Sequence, residues 1–113
     1  MIQVYHNPRC GKSRNCLAFM TQSGLDYEVI NYLDNPPSFD ELVSILNKLD
    51  SKPLDLVRQK EKIWIENFKN KELTDSEIIQ AMVSHPILIE RPIVIKDNKA
   101  IIGRDLDRLN SFL

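Results

Sequence analysis

Long hydrophobic runs are missing from this chain, and no apolar stretch approaches the ~20 residues that a membrane-spanning helix needs. Charge of one sign is missing too. The formal net charge is −1, and no basic run offers a nucleic-acid footprint. His, Cys, Asp and Glu fall at no spacing that suggests a metal site. No glycine-rich phosphate cradle of the P-loop kind is present, and repeats, low-complexity tracts and linkers are absent. The strand pattern starts within a residue or two of Met1, so no secretory signal is expected. These absences point to a cytoplasmic protein with no membrane or nucleic-acid partner. Cysteine is scarce, with only Cys10 and Cys16. In a reducing compartment such thiols serve chemistry or packing more often than a structural disulfide.

The remaining composition is ordinary. Hydrophobic residues make up 42% and charged residues 27% of the chain, the usage of a soluble globular protein. Its 113 residues suffice for one domain, residues 1–113, with one modest core. Ile2 to Tyr5 reads as a strand and Ser13 to about Gln22 as a helix, stopped by Gly24. Tyr27 to Leu33 alternates as a second strand and is broken by Asn35-Pro36-Pro37. Ser38-Phe39-Asp40-Glu41 and Thr74-Asp75-Ser76-Glu77 are capping boxes opening helices. Between those helices, Leu54 to Arg58 and Lys60 to Phe68 read as short helical pieces. Ile93 to Ile95 and Ala100 to Ile102 form a hairpin about Asp97-Asn98, and Asp105 to Leu113 closes as a helix. The order is β-α-β, several helices, then β-β-α. This α/β order matches a thioredoxin-like sheet with a helical insertion between the second and third strands.

The chemistry concentrates in Tyr5-His6-Asn7-Pro8-Arg9-Cys10-Gly11-Lys12-Ser13-Arg14. A thiol at a strand-to-helix turn meets unbonded backbone N–H groups and the positive end of the helix dipole. Both favour thiolate, the reactive form, and Arg9, Lys12 and Arg14 push the same way. Free cysteine is more often small core filler, but these neighbours are polar, basic and turn-forming. Ser13 stands where a Cys-x-x-Cys pair would carry its second thiol. Cys16 lies about a turn inside the helix, and a Cys10–Cys16 bridge calls for unwinding the first turn. An outside thiol is the simpler resolving partner, with Cys16 as buried packing and a redox role left open. Asn7 and Ser13 read as loop organisers that can also donate to an anion. His6 either bonds the loop and helps keep Cys10 ionised or is a strand-end residue whose ring pairs with backbone. Both readings stand. Arginine suits a doubly charged oxyanion, because its planar fork bonds two oxygens at once and keeps its proton.

His6-Asn7-Pro8-Arg9-Cys10-Gly11-Lys12-Ser13-Arg14, Asn35-Pro36-Pro37-Ser38, His85-Pro86-Ile87-Leu88, Glu90-Arg91-Pro92-Ile93-Val94 and Ile102-Gly103-Arg104 together resemble the glutaredoxin-dependent arsenate reductase family, in order and at similar spacing. The resemblance covers essentially the whole chain. It implies Cys10 as the nucleophile that attacks arsenate, and Arg58, Arg91 and Arg104 as oxyanion-binding arginines. It also implies a cis Pro92 that aims Arg91 at Cys10. By the same resemblance no cofactor is bound, glutathione is the co-substrate, glutaredoxin is the protein partner and the chain is a monomer. Lys12 departs from the small hydroxyl residue common at its position, and Arg58 falls in a charged helical stretch. Two other functions share the fold. One is a Spx-like regulator that binds RNA polymerase, whose usual Cys-x-x-Cys switch Ser13 removes. The other is a thiol reductase acting on another anion or a mixed disulfide.

Overall fold

Alternation decides the first strand. Ile2 and Val4 point to one face and Gln3 and Tyr5 to the other; Ile2, Val4 and Tyr5 are buried and Gln3 is half-buried, so the strand is covered on both sides. The computed structural model describes all 113 residues. In chain order the elements are β1 (Ile2–His6), α1 (Gly11–Ser23), β2 (Tyr27–Asn31), α2 (Phe39–Leu49), α3 (Lys62–Asn67), α4 (Asp75–Ser84), β3 (Ile93–Lys96), β4 (Lys99–Ile102) and α5 (Leu106–Phe112). Single 3-10 turns occupy Pro53–Leu56 and Pro86–Leu88. No helix is long and apolar enough to cross a membrane.

Two compact units divide the chain. The first comprises residues 1–35 and 91–113. Its four-stranded sheet has the order β2-β1-β3-β4. β1 pairs in parallel with β2, Ile2 facing Tyr27, and antiparallel with β3, Tyr5 facing Ile93. β3 and β4 form a hairpin. Helices α1 and α5 cover one face, where Ile2, Val4, Cys16, Met20, Val94 and Leu109 form the core. This is the expected thioredoxin-like order, and the insertion falls between the second and third strands.

The second unit is residues 36–90. Ser38 caps α2 and Thr74 caps α4, each through a complete capping box. The buried stripes Leu42, Ile45, Leu46 and Ile78, Ile79, Met82 follow at helical spacing. Trp64 stacks on Phe68, with ring centroids 5.3 Å apart.

Three expected boundaries shift. β2 stops at Asn31 instead of Leu33, because the Asn31 carbonyl accepts the N–H groups of Asp34 (3.1 Å) and Asn35 (2.9 Å) and closes a turn. α1 starts at Gly11, with Cys10 as its extended N-cap residue. The helix expected through Arg58 ends as a 3-10 turn at Leu56. Val57 then bridges Ile89, and the Arg58 N–H donates to the Leu88 carbonyl at 2.7 Å. Arg58 therefore lies outside any helix, directly after the extended Val57: a distant segment offers the chain a strand-like partner that local propensity does not foresee.

Gly103 marks a close approach. It is buried, its N–H donates to the Pro92 carbonyl at 2.8 Å, and a Cβ placed there would lie 3.1 Å from Val94 Cγ2 and 3.3 Å from Cys16 Sγ. Both neighbours are fully buried and have little room to yield. Gly103→Ala is expected to lower stability by about 1–3 kcal/mol, read as an earlier midpoint in urea unfolding. An unchanged midpoint would show that this packing has slack.

Candidate functional site

The turn between β1 and α1 is held by its own polar atoms. Asn7, 1% exposed, accepts the Arg9 N–H on its side-chain oxygen at 2.9 Å. Its carbonyl accepts the Cys10 N–H at 3.0 Å. The Ser13 hydroxyl, fully buried, accepts the Asn7 N–H at 3.2 Å. These bonds fix the chain so that Cys10 opens α1 with its side chain at the helix start. The Cys10 carbonyl then accepts the first helical N–H, that of Arg14, at 3.0 Å.

Cys10 is half-buried, and its thiol feels opposing influences. Partial burial disfavours the thiolate. The N–H dipole of Ser13, the Arg91 side chain, the N–H of Lys12 and the Arg91 charge together outweigh it and bring the pKa down to about 7. Cys10 makes no side-chain cap bond within α1; the thiolate is favoured by hydrogen bonding and charge from Arg91 and by the N–H groups at the helix start. Cys16, six residues further on and fully buried in the core, is pushed up to about 11 by burial alone. One helix therefore carries a reactive thiol at its start and an inert one inside.

The cations adjacent in sequence act differently from the expectation. Lys12 contributes its backbone N–H to Cys10, and the charge beside the sulfur is that of Arg91. Arg14 folds back across the turn and donates from Nη1 to the Pro8 carbonyl at 3.3 Å. His6, 7% exposed, has a pKa lowered first by burial and then by the Arg14 charge, and its Nδ1 has no hydrogen-bond partner. Its imidazole is thus neutral near neutral pH, which removes an imidazolium from the groups that hold the thiolate.

The Arg91–Pro92 peptide bond is cis, and Arg91, only 8% exposed, reaches Cys10. Arg104 follows β4 and donates from Nη1 to the Arg91 carbonyl at 2.9 Å. Cys10, Lys12, Ser13, Arg91, Pro92 and Arg104 all belong to the first unit. Arg58 belongs to the second, where its Nη1 meets Glu90 at 2.9 Å and its Nε meets Glu61 at 3.3 Å. Sequence reasoning passed over this carboxylate pair. Its only signals were two acids at Arg58+3 and next to Arg91. No group of three or more His, Cys, Asp or Glu comes together to hold a metal ion.

The model of the ArsC family matches residues 5–112 of this chain. An arsenate reductase of Neisseria meningitidis is 39% identical over 114 residues, which span 99% of this chain and 97% of that protein. An uncharacterized Escherichia coli protein, YfgD, is 42% identical over 105 residues, 91% of this chain and 88% of its own. The solved structure of an arsenate reductase from Vibrio cholerae aligns with a TM-score of 0.93 at 37% identity, covering 99% of this chain and 97% of that one. The thioredoxin-like fold is shared with it along the whole chain.

The two thiols are expected to separate in alkylation. Iodoacetamide labelling of Cys10 should rise with pH through a midpoint of about 7, as the thiol loses its proton. Cys16 should stay unlabelled in the folded protein over the same range. Peptide mapping by mass spectrometry reads both. Equal labelling with a shared midpoint near 8.5, the value of a free thiol, would refute the activation of Cys10.

Proposed function

The chain belongs to the ArsC family, and from that premise we propose that it reduces arsenate to arsenite with glutathione as co-substrate and glutaredoxin as the protein reductant. In this reading it works in the cytoplasm as a monomer, as a single domain over residues 1–113, with no bound cofactor. The observation that carries it is the contrast between the two thiols: Cys10 at about 7 beside Arg91, and Cys16 buried at about 11. A chain with one reactive thiol can capture an electrophilic oxyanion but has no second thiol ready to complete a disulfide.

The proposed course follows from that count. Arg91 and Arg104 hold the arsenate oxygens, and the Cys10 thiolate attacks arsenic. A sulfur–arsenic bond forms, an oxygen leaves as water, and arsenic remains pentavalent. Reaching arsenite takes two electrons, which two thiols supply when they join as one disulfide. Ser13 cannot contribute, and Cys16 is sequestered. Both electrons then come from outside: the glutathione thiolate forms a second sulfur–arsenic bond as another oxygen leaves as water, and the glutaredoxin thiolate attacks the glutathione sulfur, so that a glutaredoxin–glutathione disulfide forms and the electron pair of the broken sulfur–arsenic bond stays on arsenic, now trivalent. Water then cleaves the Cys10–arsenic bond, arsenite departs and Cys10 returns as thiolate. Asn7 and Ser13 keep the turn in shape, while Lys12 and Ser13 lend N–H groups that favour the thiolate. His6, Arg14 and Pro92 support the loop and the approach of Arg91. Arg58 is the third arginine of the proposal. Glu61 and Glu90 already compete for its fork, so its contribution is expected to be the smallest.

Arsenate reduction coupled through glutathione, glutaredoxin and glutathione reductase to NADPH oxidation tests this. Cys10→Ser should abolish turnover and Cys16→Ala should keep most of it. The rate should climb with pH through about 7 as Cys10 ionises. A Cys10–Cys16 disulfide trapped during turnover, or turnover without glutathione, would sink the external-thiol course.

Arsenate should also protect Cys10 from alkylation. A charge-assisted contact is worth about 1.5–3 kcal/mol, or about one to two powers of ten in binding. Arg91→Lys keeps the charge but loses the fork, so protection should need at least about tenfold more arsenate. Arg104→Ala should act likewise, and Arg58→Ala least. Absence of protection in the wild type at millimolar arsenate would remove the oxyanion site.

A further inference from the structure

Arg9, Lys12 and Arg14 remain unused by the chemistry so far. All three side chains are exposed and flank the reacting residue in sequence, Arg9 directly before it, Lys12 two residues after it and Arg14 a turn further on. The ion pairs of the protein join Arg58 to Glu61 and Glu90, and Lys62 to Glu66. None of them involves these three cations. Their charges are also not what lowers the Cys10 pKa, which falls through two backbone N–H groups and Arg91. Three positive charges without an ion-pair partner on one short turn repel one another; only Arg14 has a structural bond, to the Pro8 carbonyl, and the thiolate uses none of the three charges. Arg14 is anchored over the turn by its bond to the Pro8 carbonyl, which keeps the positive charge at the outer rim of the site.

Resting on the glutathione reading above, we propose that Arg9, Lys12 and Arg14 form a cationic collar that receives the carboxylates of glutathione and steers its thiolate to Cys10. Glutathione carries two carboxylates and one ammonium, so it approaches as an anion, more so once its thiol ionises. Exposed charges act weakly on a bound partner but raise the encounter rate of an opposite charge, and salt suppresses the effect. The collar thus selects the second thiol by charge, while the buried Arg91 acts at the sulfur itself.

The test needs no arsenate. Cys10 is converted with 2,2′-dithiodipyridine into a neutral pyridyl mixed disulfide; buried Cys16 does not react. An incoming thiolate attacks the Cys10 sulfur, the sulfur–sulfur bond breaks, and thiopyridone leaves with the electron pair and is read by its absorbance. Rates are compared for glutathione, neutral 2-mercaptoethanol and cationic cysteamine. Ratios between these thiols, compared across protein variants, cancel their intrinsic reactivities. In Arg9→Ala/Lys12→Ala the glutathione-to-mercaptoethanol ratio should fall about fivefold, and the cysteamine-to-mercaptoethanol ratio should rise. High salt should shrink the wild-type ratio and leave that of the double variant nearly flat. Arg9→Glu/Lys12→Glu should push both ratios further in the same directions. Ratios that do not move would overturn the collar. So would a loss confined to glutaredoxin with glutathione unaffected, since the surface would then read an acidic protein instead. A responsive ratio in a protein that fails to reduce arsenate would keep the collar and reject the substrate.

Discussion

Tyr5 faces Ile93 across the antiparallel pairing of β1 and β3, and the thiol site depends on that register. β1 runs out at His6 and delivers the turn that ends on Cys10. β3 is entered through Arg91 and the cis Pro92. Side-by-side strands therefore bring an arginine and a cysteine together although most of the chain separates them in sequence. Ile93 and Val94 are both fully buried, one on each face, so β3 is held by packing on either side of the sheet. Apolar packing thus sets the distance between a charge and a sulfur.

That distance matters because the two partners solve each other's problem. A guanidinium that is 8% exposed is costly to bury without an opposite charge. A thiol in the same place would ordinarily be driven toward its neutral form. Each charge reduces the cost of burying the other, and the N–H groups at the start of α1 add to the negative side of the balance. Cys16 supplies the comparison within the same helix. It has the burial without the partners, and its pKa moves the opposite way.

Features set by short-range physics were legible in the sequence. The two capping boxes, the left-handed Gly24 that ends α1 and the Asp97-Asn98 turn all appear where their residues call for them. Cys10 stood out for the same reason, since a strand-to-helix turn declares itself locally. Less legible were the interactions closed by distant segments. Val57 takes a strand-like partner in Ile89, and so Arg58 lies outside the helix expected there. The charge beside Cys10 comes from Arg91, as the family resemblance implied and local pattern did not, while adjacency in sequence overstated Arg9, Lys12 and Arg14, whose exposed charges water screens. For His6 the sequence left open a helper of the thiolate or a strand-end residue, and burial lowers its pKa, which disfavours the first.

Ser13 has a consequence for the economy of electrons. Its hydroxyl braces the turn by accepting the Asn7 N–H at 3.2 Å, at the position where many redox loops keep a second sulfur. Sulfur is a weak acceptor, so a thiol placed there would loosen the brace that presents Cys10. The loop has therefore given this interior position to architecture. In the proposed course any reducing power beyond a single thiol is imported, and the rate follows the supply of thiols around the protein.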